Sequence, residues 1–309
     1  MQTLSQKLER NLIDFVWSLW TELGVAGVIR KHQQFLIMPE ELVLLTSVLT
    51  KSDPRLRDEA LDWCSKYHHF ISISRLRTIA NEIGILVSEP YSLFAATLNS
   101  VSTAHWPLTA SVSPLKFVPS GKTKSPQFEN PALLTFRLRS LFGVGARADM
   151  LLFFLTQKKN SFAIADTVEI GYTKRNLADI LENFVRAGFF TVSPVRNQKR
   201  YYFAKQDQLI KIVHPLPTHM PSWRNLLEVI LQLRSCIQQM ENKSEGVRIV
   251  ELHNLLQAIE PLLQKLHLRA PPLQTDFSAY WDSFANWVLE LSASLASGFL
   301  PQQLGAQNA

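Results

Sequence analysis

Apolar residues recur at helical spacing along most of the chain. Leu8, Leu12, Phe15, Val16 and Leu19 form the first stripe, with the i, i+3, i+4, i+7 recurrence of an amphipathic helix. Leu42, Leu45 and Leu49 follow Pro39, which suits a first helical turn because the N–H that proline lacks has no partner there. A third helix is predicted behind Asp53-Pro54, with Leu56, Ala60, Leu61, Trp63 and Cys64 inward. Ser74 is the expected cap of a fourth, running through Leu76, Ile79 and Ile83 to Gly84. Past residue 205 three longer faces follow. Trp223, Leu226, Leu227, Ile230, Leu233, Ile237 and Met240 make one; Val250, Leu255, Leu256, Ile259, Leu262, Leu263 and Leu266 the next. Phe277, Tyr280, Trp281, Phe284, Trp287, Val288, Leu291 and Leu295 make the last, an aromatic stripe that reads as core. Such long faces need covering, within the chain or by a second subunit.

The texture changes twice. From Pro107 to Pro131, five prolines punctuate Ser, Thr and Lys, which predicts a linker or a strap across the surface. Gly121-Lys122-Thr123 inside it matches the end of a phosphate-binding loop, but Lys116 stands where the first glycine belongs and no buried strand precedes it. The match is accidental. Beyond Pro131 an extra helix precedes Gly143-Val144-Gly145, and a helix with Ala148, Leu151, Leu152 and Leu155 inward follows, ending at Lys158-Lys159-Asn160.

The stretch from Ile164 to Gly188 has the pattern of a helix-turn-helix. Thr173 is a credible N-cap, its hydroxyl accepting from the N–H of Arg175 or Asn176. Leu177, Ile180, Leu181, Phe184 and Val185 then form one stripe, and Gly188 stands where a left-handed residue stops a helix. Lys174, Arg175, Asn176, Asp179, Glu182, Asn183 and Arg186 are left facing outward. The first turn is therefore cationic, although the helix dipole favours acids there. Phe189–Val192 and Tyr201–Phe203 are aromatic and β-branched and predict two strands. Residues 194–200, with Arg196, Lys199, Arg200 and two amides, would form the hairpin tip.

Charge sharpens this picture. The whole chain is +6, yet residues 137–205 hold twelve Lys/Arg against five Asp/Glu and the rest holds twenty against twenty-one. Localised positive charge is the electrostatic footprint expected of a phosphate binder. The order leucine-rich helix, short polar break, small helix and Gly171-Tyr172-Thr173-Lys174-Arg175-Asn176, with a basic hairpin after it, resembles winged helix-turn-helix bacterial repressors of the broad ArsR, MarR and GntR kind. The resemblance covers 147–204, and no family effector site carries over from it. The long helical arm before the domain departs from the compact members. The resemblance implies a transcription regulator, a repressor, whose helix from Thr173 lies in the major groove. Tyr172 and Thr173 would sit near a phosphate, Lys174, Arg175, Asn176 and Asn183 at base edges, and Arg196, Asn197, Lys199 and Arg200 on the backbone or in the minor groove.

Other chemistry finds little support. Cys64 and Cys236 are isolated, as in a reducing cytoplasm. His68 and His69 are adjacent and cannot share a helix face, and Asp53, Asp58 and Asp62 lie beside Arg55 and Arg57, so surface pairing accounts for them. No H-E-x-x-H or G-x-S-x-G occurs. We therefore expect no catalytic residues, metal or cofactor. Glu9, Arg10 and Asp14 interrupt the first apolar stretch, unlike a signal peptide, and no run approaches 18 apolar residues. A cytoplasmic, membrane-free protein is expected.

The expected architecture is mainly α. An N-terminal helical domain (1–106), a linker (107–131), a winged helix-turn-helix domain with a small β-hairpin (132–205) and a C-terminal helical domain (206–309) follow one another. The expected partners are double-stranded DNA and a second copy of the chain, since a dimer can read a palindrome. A competing reading is a protein-interaction adaptor, or an antitoxin-like partner protein, that uses the winged helix and the helical arms for docking.

Overall fold

The computed structural model describes residues 2–27, 32–157, 159, 161–274 and 276–301. It is mainly helical, 63% of it, with one small antiparallel two-stranded sheet. α1 (Leu4–Glu22) begins with a reciprocal cap in which Thr3 Oγ1 accepts from Gln6 N and the Gln6 side chain accepts from Thr3 N, and it buries its whole predicted stripe. α2 (Pro39–Leu49) starts at proline and is buried at every residue. A helix apolar nearly all round can only sit inside a core, and Glu40 and Glu41 go in with it. α3 (Pro54–Tyr67) is capped by Asp53, whose Oδ1 accepts from Leu56 N at 3.0 Å while Oδ2 accepts from Trp17 Nε1 at 2.7 Å. α4 (Ile73–Ile83) is capped by Ser72, two residues before the expected Ser74. α5 (Ser88–Val101) completes this half.

Residues 102–130 carry no regular element until a turn near their end, yet they are tied down, as a strap would be. Asn99 brackets Trp106, donating to its carbonyl and accepting from its N–H, both at 2.8 Å. Asp62 is 1% exposed, so it is no surface-paired acid. It accepts from Gly121 N at 2.7 Å and Thr123 Oγ1 at 2.6 Å, and the hydroxyl that mimicked a phosphate loop is thereby used to fasten the strap.

After a 3₁₀ turn at Pro131–Leu133 come α6 (Leu134–Phe142) and, past the glycine break, α7 (Ala146–Thr156). Of the expected Lys158-Lys159-Asn160 terminus, Lys158 and Asn160 lie outside the described residues. A 3₁₀ helix (Ile164–Ile170) leads into α8 (Lys174–Arg186), then β1 (Phe190–Val195) and β2 (Gln198–Phe203). The strands pair farther out than expected, with Val195 opposite Gln198, so the tip shrinks to Arg196-Asn197. α9 (Gln206–Val213), α10 (Trp223–Met240), α11 (Glu245–Lys265) and α12 (Phe277–Ala296) follow.

The C-terminal helices close the core around the first ones. α12 lies along α1, joined by Asn11 Nδ2 donating to Ser292 Oγ at 2.9 Å, and α10 runs along α11. Glu9 on α1 takes Arg234 of α10 at 2.6 Å. Residues 33–37, a turn followed by a bridge from Phe35 to His219, form a seam. Leu36 N donates to His219 O at 2.8 Å, Ile37 N to Ala132 O at 2.9 Å, and Trp223 Nε1 to Leu36 O. Buried side chains form one continuous core from α1 through α8 to α12. One position of the α11 face departs from expectation: Val250 is 58% exposed, and Leu252 is buried instead. The side chain of Phe277 lies outside the described residues.

Candidate nucleic-acid interface

α8 is built as its sequence requires. Thr173 Oγ1 accepts from Asn176 N at 3.3 Å, and Leu177, Ile180, Leu181 and Phe184 are buried against α7 and the 3₁₀ helix. At the far end Gly188 takes φ +72°, its N–H reaching Val185 O at 3.0 Å while Phe189 N reaches Phe184 O at 2.9 Å. That pair of bonds is the Schellman closure. With its inner stripe packed, α8 presents Thr173, Lys174, Arg175, Asn176 and Asn183 to solvent. Among the described residues, none lies within ion-pair distance of Lys174 or Arg175.

The hairpin packs beside α8. Arg196, Asn197 and Lys199 are exposed, and Arg196 adopts φ +54° in the two-residue turn. Lys199 is already engaged, its Nζ donating to Glu182 Oε1 at 2.7 Å, with Tyr201 Oη donating to the same oxygen at 3.1 Å. Those two hydrogen bonds hold the Glu182 carboxyl below its usual range, and the same contact raises Lys199. Arg200 is half-buried and lies 3.6 Å from Asp166. Lys174 and Arg175 in the α8 first turn, Arg186 at its other end and Arg196 at the tip are exposed cations with no ion-pair partner among the described residues.

Tyr172 does not join this surface. Its hydroxyl donates to Asp149 Oδ2 at 2.8 Å and lies 2.9 Å from Ser72 Oγ. Burial is the main reason its ionisation is pushed far up, helped by the Asp149 charge. A phosphate role for this hydroxyl is therefore replaced by a structural one, as the outer member of a buried ionic network. Arg139 donates to both oxygens of Asp149 at 3.0 Å, to both of Glu40 at 2.7 and 3.0 Å, and to Phe70 O. Arg75 donates to Glu40 Oε2 at 2.7 Å, grips both oxygens of Glu41, and places Nε 3.0 Å from Ile170 O. Ser72 N completes the shell on Glu40 at 2.6 Å. Burial alone would push Glu40 up, but Arg139 and Arg75 outweigh it and hold the carboxyl below its ordinary value.

None of these five charged residues was singled out from sequence. Glu40 and Glu41 look like ordinary acids favoured by a helix N-terminus, and Arg139 counts toward the basic segment. The available signal was α2 itself: a helix with no wet face leaves its charges no route to water. Arg137 is also withdrawn, donating to the carbonyls of Phe128, Asn130, Pro215 and Val213. The outward charge of 137–205 is accordingly smaller than its composition suggests.

No protein-family model, no curated protein and no solved structure matches this chain.

Proposed function

We propose that the chain is a sequence-specific DNA-binding regulator acting through a winged helix-turn-helix formed by the Ile164–Ile170 turn, α8 and the β1–β2 hairpin. The observation that carries the reading is the first turn of α8, where Lys174, Arg175 and Asn176 stand exposed with no ion-pair partner among the described residues. Nothing in a solvated helix needs two cations at its positive end, whereas a helix entering the major groove does. Arg196 at the hairpin tip supplies a second cationic point for the backbone or minor groove. Repression, and a homodimer reading a palindrome, belong to the same proposal.

Selection from random duplex DNA over a salt series tests it. An enriched palindrome with affinity falling steeply with salt is expected. Tight binding without enrichment removes sequence specificity, and no binding at low salt removes DNA altogether. The adaptor reading retains one supporting observation, the exposed Val247, Ile249 and Val250 in the first turns of α11. A partner held there would bind with little dependence on salt.

A further inference from the structure

A cavity of about 80 Å³ opens between α2, α7, the Ile164–Ile170 turn and the N-terminus of α10. Its polar lining is mostly spoken for. Both oxygens of Glu41 are held by Arg75, and both of Asp149 by Arg139, with Tyr172 on one of them. Two groups are not. Arg224 Nη1 is buried and has no hydrogen-bond partner among the described residues, although Nη2 of the same side chain pairs with Glu82 at 3.3 Å and Glu228 at 3.8 Å. Glu169, half-buried, has neither a hydrogen bond nor an ion pair within reach there. Burial raises its carboxyl despite the charges of Lys265 and Lys159. A buried donor left unmade costs about 1–3 kcal/mol, so Arg224 Nη1 asks for a partner, and the half-exposed Glu169 offers an opposite charge beside it in the lining.

The rest of the site narrows the ligand. Arg224 stands in the first turn of the 18-residue α10, whose cap Ser222 makes no side-chain cap bond. Free N–H groups and the dipole there favour an anionic group. A simple anion, however, would face the unpaired Glu169, and a simple cation would face Arg224. Leu152, Phe153 and Met220 make the remaining wall apolar. A cavity of this size that opens to solvent takes only a short occupant, with part of it left at the mouth. We propose that this cavity binds a small α-amino acid, its carboxylate on Arg224 and the α10 N-terminus and its ammonium on Glu169. Arg75 lines the same cavity and holds Ile170 just before α8, so an occupant would press on the lead-in to that helix. That coupling rests on the DNA-binding reading; the binding itself does not.

Calorimetry and thermal melts of the full chain, without DNA, with glycine, L-alanine, acetate and methylammonium test it. Glycine or alanine should bind and raise the melting temperature, acetate and methylammonium should bind at least roughly tenfold more weakly, and Arg224→Gln and Glu169→Gln should each weaken alanine by a similar factor. Glu169 has no partner to lose, so Glu169→Gln keeps the test valid even if Arg224→Gln unfolds the chain. Acetate binding as tightly as alanine, with Glu169→Gln unchanged, overturns the assignment in favour of a plain anion seat. No response to any of the four at on the order of 10 mM overturns the site itself. DNA affinity measured with and without the bound amino acid then reports on coupling separately.

Discussion

Tyr172 lies one residue before the cap of α8, and its chemistry is set by what surrounds it rather than by that position. Its hydroxyl donates to a buried carboxylate, a bond to a charged group and so worth about 1.5–3 kcal/mol. Tyr172→Phe should lower stability by that amount in urea titrations. DNA affinity should fall only as far as folding does, and a loss of affinity at unchanged stability would restore a phosphate contact. Arg175 and Arg196 are expected to part company. Arg175→Ala should cost about 1–3 kcal/mol on a selected site and relax one base position. Arg196→Ala should weaken all sequences alike and flatten the salt slope by about one unit, whereas Lys199, already paired with Glu182, should move that slope less. Equal losses for Arg175→Ala on selected and random DNA would remove its base-reading role.

α8 shows how a short element can be fixed locally at both ends. Its start rests on one hydroxyl and its end on one left-handed residue, both set by neighbours within a few positions. A Cβ at Gly188 would meet nothing within 4 Å, so only the backbone conformation resists a side chain there. Gly188→Ala should therefore cost about 1–2 kcal/mol, with amide exchange in the last turn of α8 accelerating first. A loss above about 3 kcal/mol would point to a packing role instead. The hairpin is less self-determined. Its ladder runs to Val195 and Gln198 and Phe162 bridges to Tyr201, contacts that no alternation of residues announces.

Across the whole molecule, the Glu40–Arg75–Arg139–Asp149 network ties α2, α4, α6 and α7 to the segment before α8. Removing one partner of a buried ion pair strands the other, which costs about 3–5 kcal/mol. Arg139→Met should do so, and unfolding should stay cooperative because four helices share the network. A change under about 1 kcal/mol would show the network to be dispensable. Acid should act on the same point. Glu40 titrates below its ordinary value of 4.5 in the folded chain, so its contribution is fully present above that pH. It is lost as pH falls from there through the folded value. Urea titrations between pH 7 and 3 should show stability dropping below about pH 4.5, and Glu40→Gln should flatten part of that drop. A flat profile would contradict the assignment.

Sequence alone determined what is local. Stripes at three- and four-residue spacing fixed the buried faces of α1, α8 and α10, and Asp53-Pro54, Thr173 and Gly188 marked helix ends, because caps and amphipathic faces involve residues at most a turn or two apart. The outward set on α8 followed from that packing. Tertiary structure decided the rest. Ser72 rather than Ser74 caps α4 because its hydroxyl and N–H are held by Tyr172 and Glu40, 100 and 32 positions away. α12 covers α1, and α11 covers α10, so faces that could have met a second subunit are met within the chain. Arg139 meets Glu40 across 99 residues. A charge that pairs so far along the chain leaves no periodicity or spacing behind it, and only burial reveals that it has left the surface.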